Sequence, residues 1–201
     1  MAKKAESTLK NMLLSLTLIA LVASFALALV NNVTKGPIEE VNKKKVADAI
    51  KKVLPEGKDY TVVTDTVAVA MAKGEALIVR HTATDAEGNL VGKAVESYDD
   101  NGFGGRLSAM VGFDAEGNIS GYEILASSET PGLGAKADKW FQKDGKGSVI
   151  GMNPASNTML VSKDVDPSTN KKGEVDAITG STITSRAFCR LVASAFNAFN
   201  N

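Results

Sequence analysis

The longest uninterrupted apolar run in the chain is Met12–Val30, MLLSLTLIALVASFALALV, in which Ser15, Thr17 and Ser24 are the only polar positions. A helix rises about 1.5 Å per residue, so a run of this length nearly crosses a hydrocarbon layer of about 30 Å. Hydroxyls within such a helix bond back to its own carbonyls and do not argue against it. The pattern predicts an N-terminus at 1–11, a transmembrane anchor at 12–30, a polar linker at 31–37 and a folded domain at 38–201. Ala26-Leu27-Ala28 supports a second reading, a cleavable signal peptide. Lys3, Lys4 and Lys10 precede the run, and Lys35, Lys43, Lys44 and Lys45 follow it. The positive-inside rule therefore favours a cytoplasmic N-terminus by a narrow margin. Under either reading the bulk of the chain lies outside the cytoplasm.

In the remainder, Ile38, Val41, Val46, Ala49, Ile50 and Val53 recur near helical spacing among charged residues, with Pro55 and Gly57 as stop signals. Five β-like runs follow: Tyr60–Thr66, Ala76–Ala83, Leu90–Tyr98, Leu107–Phe113 and Ile119–Ala126. The word Asp-Ala-Glu-Gly-Asn occupies two of the gaps, at 85–89 and 114–118. Glycine accepts positive φ there and Asp and Asn bond their own backbone, so both predict hairpin turns of an antiparallel sheet. A loop at Ser127–Gly134, a short helix at Ala135–Phe141, another strand at Asn153–Val161 and a polar loop at Asp164–Gly173 complete the middle. Phe188, Leu191, Val192, Ala195, Phe196 and Phe199 then form the apolar stripe of a closing helix that packs on the sheet. Strands between two helices, preceded by one transmembrane helix, predict the α+β class.

Composition removes several functions. The 201 residues carry 23 basic and 23 acidic side chains, so no net positive field marks a nucleic-acid partner. Cys189 and His81 are the only residues of their types, which leaves no intrachain disulfide, CxxC pair, haem motif or multi-histidine metal site. Any redox chemistry must come from an organic cofactor. His81 is expected as a strand residue near the surface, and Cys189 as a small core residue.

The segment Asp176-Ala-Ile-Thr179-Gly180-Ser181-Thr182-Ile-Thr184-Ser185-Arg186 gathers hydroxyls around a glycine at the start of the last helix. A helix N-terminus exposes unbonded N–H groups and partial positive charge, which suits a phosphate. Gly180 permits close backbone approach, and Arg186 could add a charge-assisted contact. Ordinary helix capping by Ser and Thr explains the same composition.

The words themselves carry more. Asp176-x-x-Thr179-Gly180-Ser181-Thr182 resembles the Asp-x-x-Ser/Thr-Gly-Ala-Thr motif of the FMN-binding domain family, whose last threonine carries FMN as a phosphodiester. Glu129-Thr130-Pro131-Gly132-Leu133-Gly134 looks like that family's ETPGLG loop, and Gly102-Phe103-Gly104-Gly105 is similar to its upstream glycine-rich stretch. On its own terms Pro131-Gly132 is a turn signal, and Glu129 and Thr130 offer polar atoms beside a flat ring. Family members include the G subunit of the Rnf electron-transport complex and the C subunit of the sodium-pumping NADH:quinone reductase. The order of motifs matches along nearly the whole chain, and its compact length is nearer to the former.

The resemblance implies covalent FMN on Thr182, with Ser181, where the family has alanine, as a rival acceptor and Thr184 as a lesser one. It implies Asp176, Thr179, Gly180, Glu129, Thr130, Gly132 and Leu133 as further cofactor-binding or positioning residues. It also implies a flavin transferase for maturation, other membrane subunits of the Rnf complex as partners, and a place in the inner membrane with the domain on the periplasmic side. The role implied is relay of electrons between ferredoxin and NAD, coupled to ion movement. Two other readings stand beside it: an FMN-binding domain of another extracytoplasmic redox system, or a cofactor-free anchored assembly module.

Overall fold

The computed structural model describes residues 8–55, 59–71 and 74–201; Lys3, Lys4 and Gly57 lie outside these. It contains two compact units, one ending at Lys44 and the other Lys45–Asn201. In chain order the elements are α1 (Leu9–Val53), β1 (Thr61–Met71), β2 (Gly74–Thr84), β3 (Leu90–Gly102), β4 (Gly105–Asp114), β5 (Ile119–Ala126), a 3-10 turn Gly134–Lys136, α2 (Ala137–Trp140) and α3 (Thr182–Asn200).

The first unit consists of the N-terminal part of α1. This helix is long and apolar enough to cross a membrane, and its leucines are exposed, Leu13 by 66% and Leu27 by 73%. Water penalises such a surface, whereas hydrocarbon does not. Ser15 Oγ donates to the Met12 carbonyl at 3.0 Å, and Thr17 Oγ1 to that of Leu13 at 2.9 Å, so the hydroxyls are absorbed by the helix. The polar stretch 31–37, expected as a linker, is helical throughout and includes Pro37. Pro37 gives no N–H to the carbonyl one turn earlier, but its fixed φ is helical, and Thr34 Oγ1 bonds the Val30 carbonyl at 2.9 Å alongside it. Ile38 and Val41, periodic in sequence, remain exposed, by 55% and 65%.

The second unit is a five-stranded antiparallel meander in the order β1-β2-β3-β4-β5 with a helix on each face. Strands alternate side chains between faces. Leu107, Ala109, Val111 and Phe113 of β4 therefore join one apolar cluster, while Met110 joins the other. The smaller cluster is closed by Ala49, Val53 and Leu54 at the end of α1. Lys52 pairs with Glu123 at 2.8 Å, and Lys45 bonds the Leu125 carbonyl, which tie that helical end to β5.

The larger cluster lies under α3, whose Phe188, Leu191, Val192 and Ala195 are fully buried, as the stripe predicted. Phe188 stacks on Phe141 at 4.1 Å between ring centroids and meets the edge of Tyr122 at 4.8 Å. Polar contacts fix the axial position of the helix. Ser97 Oγ donates to the Leu191 carbonyl at 2.9 Å, and Arg190 clamps Asp99 at 2.8 and 2.9 Å. Carbonyls of the last turn accept from Arg80 (Ala198) and Lys93 (Phe199), cations where the helix dipole is negative.

Both Asp-Ala-Glu-Gly-Asn words are hairpin turns, with Gly88 and Gly117 at φ 85°. Asp85 and Asp114 accept from the backbone N–H groups two and four residues on. The expected strand Asn153–Val161 is absent. Val161 forms only an isolated bridge to Val175, because Pro154 and the turn bonds of Ser156 and Asn157 back to Asn153 interrupt extension. His81 is on a strand as expected, but it is buried, with 5% exposure. Its ring hydrogen-bonds Thr64 at 2.8 Å and Glu96 at 3.0 Å on the flanking strands, which satisfies the polar atoms that burial would otherwise strand.

Candidate functional site

Three loops meet at one end of the sheet: the β3–β4 hairpin tip at Gly102–Gly105, the Ser127–Gly134 loop after β5, and the residues that open α3. Together they enclose a cleft of about 340 Å³ lined by Phe103, Glu129, Thr130, Leu133, Gly134, and Gly180 through Thr184.

The middle loop is shaped by its Pro-Gly pair. Leu133 N–H closes a turn onto the Thr130 carbonyl at 3.1 Å, with Gly132 at φ 76°, the position where a type II turn calls for glycine. The turn lifts Leu133 to the cleft wall with 43% exposure.

Glu129, at the root of that loop, is buried to 7% exposure and joins all three elements. Its Oε1 accepts from the Gly104 N–H at 3.3 Å, and its Oε2 accepts from the Thr184 hydroxyl at 2.8 Å. The fit depends on missing side chains. A Cβ on Gly102 would stand 2.5 Å from Oε1, and one on Gly134 would stand 2.5 Å from Oε2.

At the head of α3, Gly180 turns the chain with φ 78°. Ser181 occupies the N-cap position, yet its side chain makes no capping hydrogen bond. Capping therefore does not account for the hydroxyls. Ser185, fully buried, performs the local tying instead: its Oγ accepts from the Ile178 N–H at 2.9 Å and donates to the Ser181 carbonyl at 3.0 Å. The N–H groups of Thr182, Ile183 and Thr184 meet no acceptor among the described residues, which leaves the positive end of the helix directed at the cleft.

The three candidate hydroxyls differ in access. Thr184 has no exposure and is engaged with Glu129, and Ser181 is 8% exposed. Thr182 is half-buried and lines the cleft.

Of the residues named from the sequence, Glu129, Thr130, Leu133, Gly180, Ser181, Thr182 and Thr184 share this cleft; Gly132, Thr179 and Asp176 do not line it. Gly132 shapes the loop, and Thr179 is exposed beside Gly180. Asp176 accepts from Ser162 Oγ at 3.1 Å through its side chain and from Trp140 Nε1 at 2.9 Å through its carbonyl, fastening the approach to α3. Arg186 points to Asp164, at 2.6 and 2.7 Å, so it gives no contact to the cleft. Hydrogen bonding to that carboxylate raises the Arg186 pKa and holds that of Asp164 below the usual range.

From the sequence, Phe103 and Gly134 entered only within their motif words and Thr184 only as a lesser acceptor; Ile183 as a lining residue and Ser185 as the tie were not anticipated. The signal for Phe103 was available: a lone aromatic between glycines at a hairpin tip, here 68% exposed. The partners of Thr184 and Ser185 carried no such mark, since they are remote in sequence or defined by the turn.

Against proteins of known family, residues 102–197 match the FMN-binding domain. The G subunit of the Na(+)-translocating ferredoxin:NAD(+) oxidoreductase complex from Acetobacterium woodii is 36% identical over 196 residues, covering 94% of this chain and 90% of that protein. The chain belongs to this G-subunit family. Other members, named as G subunits of ion-translocating oxidoreductase complexes, include those of Shewanella baltica, 30% identical over 92% of this chain and 87% of its own, and Methanosarcina acetivorans, 28% identical over 92% and 91%. A crystal structure of Shewanella oneidensis NqrC aligns with a TM-score of 0.40 at 22% identity, covering 75% of this chain and 72% of its own.

The cleft suits the group for which the matching domain is named. Phe103, Leu133 and Ile183 present exposed apolar surface for a flat ring system. The open N–H groups and half-buried hydroxyl at the head of α3 suit a phosphate.

Proposed function

We propose that this chain is the membrane-anchored flavin subunit of an Rnf-type complex, with FMN joined through its phosphate to Thr182. The observation that carries the reading is the position of Thr182: the half-buried hydroxyl of the helix-opening residues, lining a cleft that the family match spans. Ser181 and Thr184 are more deeply buried, which supports Thr182 over either as the acceptor.

Attachment is a single event made by a separate flavin transferase acting on flavin adenine dinucleotide. The bond from Thr182 Oγ1 to the FMN phosphorus forms, the phosphoanhydride bond breaks, adenosine monophosphate leaves, and the hydroxyl proton passes to the transferase. Once bound, the flavin supplies the electron-transfer chemistry. The chain's own residues would hold and surround it: the first turn of α3 would offer N–H groups to the phosphate, while Phe103, Leu133 and Ile183 would shield the ring from water. A covalent link retains the cofactor in a compartment where free FMN is not replenished.

The partners in this reading are the other membrane subunits of the complex, and the role is relay of electrons between ferredoxin and NAD coupled to ion movement. The apolar run of α1 holds no intramembrane charge, so ion translocation belongs to those partners. The helix serves as a single-pass inner-membrane anchor, with the domain on the periplasmic side, an orientation supported by the lysine distribution around it.

The test is a denaturing gel under ultraviolet light, using full-length protein co-expressed with the transferase. A fluorescent wild-type band, lost in Thr182→Val and retained in Thr184→Val, is expected. Fluorescence that survives Thr182→Val moves the link to another hydroxyl, Ser181 first. A dark wild-type band despite active transferase removes the covalent reading.

A further inference from the structure

Among the described residues that line the cleft, Glu129 is the one ionisable side chain; the others are apolar, glycine or hydroxyl-bearing. It is also nearly withdrawn from solvent, with 7% exposure. Both of its oxygens accept, one from a backbone N–H and one from a hydroxyl, partners that an ionised carboxylate can take. Among the described residues no lysine or arginine is bonded to it; Arg106 pairs with Asp100, Arg186 with Asp164, and Arg190 with Asp99.

We propose that Glu129 tunes the flavin's reduction potential, its buried negative charge holding the bound cofactor at a lower potential than the same cleft would without it. The inference rests on the flavin site proposed above. The physical basis is electrostatic. Negative charge entering the cleft with an electron meets a fixed negative charge in a poorly hydrated place, where screening by water and salt is weak. The hydrogen bonds from Gly104 and Thr184 keep that charge in place and orient it. The glycines at 102 and 134 let it sit between the loops, so the carboxylate is a built feature of the cleft wall. Glu129 also holds the hairpin tip against α3, and the test must separate that structural work from the effect of charge.

The experiment is a spectroscopic redox titration with dithionite and mediator dyes on the full-length, transferase-matured chain. The variants are Glu129→Gln, Glu129→Asp and Thr184→Val. Glu129→Gln keeps the shape and one accepting oxygen and removes the charge; its amide nitrogen donates, which the Thr184 hydroxyl can accept in place of donating. Its reduced-to-oxidised ratio at a fixed potential is expected to rise at least tenfold, which is about 30 mV for a two-electron couple. Glu129→Asp keeps the charge and is expected to stay within tenfold of wild type. Thr184→Val weakens the clamp without removing the charge, and its midpoint is expected not to rise. Should Glu129→Gln fail to fold, Glu129→Met, also neutral and of similar volume, takes its place.

An unchanged midpoint in the neutral variant overturns the proposal. So does an equal rise in Thr184→Val, which would assign the effect to clamp geometry. Both outcomes leave a fluorescent band on the gel and the flavin site intact. A dark wild-type band removes the covalent site and this inference with it.

Discussion

The Glu129 carboxylate accepts a 2.8 Å hydrogen bond from the Thr184 hydroxyl, across a separation of 55 residues. This bond closes the loop after β5 onto the head of α3. Both residues are buried. Changing Thr184 strips Glu129 Oε2 of its donor while Oε1 keeps the Gly104 N–H, and changing Glu129 leaves the Thr184 hydroxyl without this partner. Thr184→Val keeps the volume and removes the donor, and it is expected to destabilise the domain by about 1–3 kcal/mol. Chemical denaturation of the detergent-solubilised chain measures this, and an unchanged midpoint would show that the bond contributes nothing.

Gly134 sets a tight steric condition in the cleft wall. Its absent Cβ would lie 2.5 Å from Glu129 Oε2 and 2.7 Å from Thr184 Oγ1. Gly134→Ala must push the two apart, with an expected cost of about 1–3 kcal/mol as for other overpacked sites. The thermal midpoint is expected to fall and flavin incorporation to fall with it. Gly132→Ala also costs stability, through its positive φ, but it introduces no clash with Glu129.

Asp99 and Arg190 make the domain acid-sensitive. Burial works against the charge of Asp99, but hydrogen bonds from Arg190 and Asn101 outweigh it and hold its carboxyl below the usual range. A depressed folded-state pKa stabilises the fold above the unfolded value, and the contribution is lost as pH falls through the folded value. Wild type is therefore expected to lose stability below about pH 4. Arg190→Met flattens part of that slope and costs about 1–2 kcal/mol at neutral pH, a modest figure because Arg190 is over a third exposed. Equal acid slopes in the two proteins would place the sensitivity elsewhere.

Cys189 is expected to be inert in the native protein. Burial pushes its thiol pKa up to about 12, and its side chain has no exposure. A maleimide reagent should label it only after denaturant is added. Rapid native labelling would mean that α3 opens from the sheet.

Phe103 is exposed at the hairpin tip, so its loss should not weaken the fold. Phe103→Ser is expected to leave the stability within about 0.5 kcal/mol of wild type. Quenching of the flavin by iodide should rise, because one apolar wall of the cleft is gone. Unaltered quenching would remove Phe103 from the flavin environment.

Much of this was legible in the chain itself. Alternating strands, two identical Asp-Ala-Glu-Gly-Asn turns and the apolar stripe of α3 rest on contacts within a few residues, so the antiparallel sheet and closing helix could be read directly. The first hairpin was underestimated, since β1 and β2 extend to Met71 and Gly74. Asn153–Val161 misled because its apolar residues meet the core from a looped path, which periodicity does not distinguish from a strand.

The meander of five strands, the closing helix, the membrane-length apolar run and the words that mark a flavin domain were legible along the chain, because each depends on neighbouring residues and their local preferences. Tertiary structure alone decided which hydroxyl stands open, that Arg186 turns away to Asp164, and that Glu129 sits as a buried charge between Gly102, Gly134 and Thr184. Those facts depend on three loops meeting at one sheet end. Burial and hydrogen bonding between remote segments leave no periodic trace along the chain.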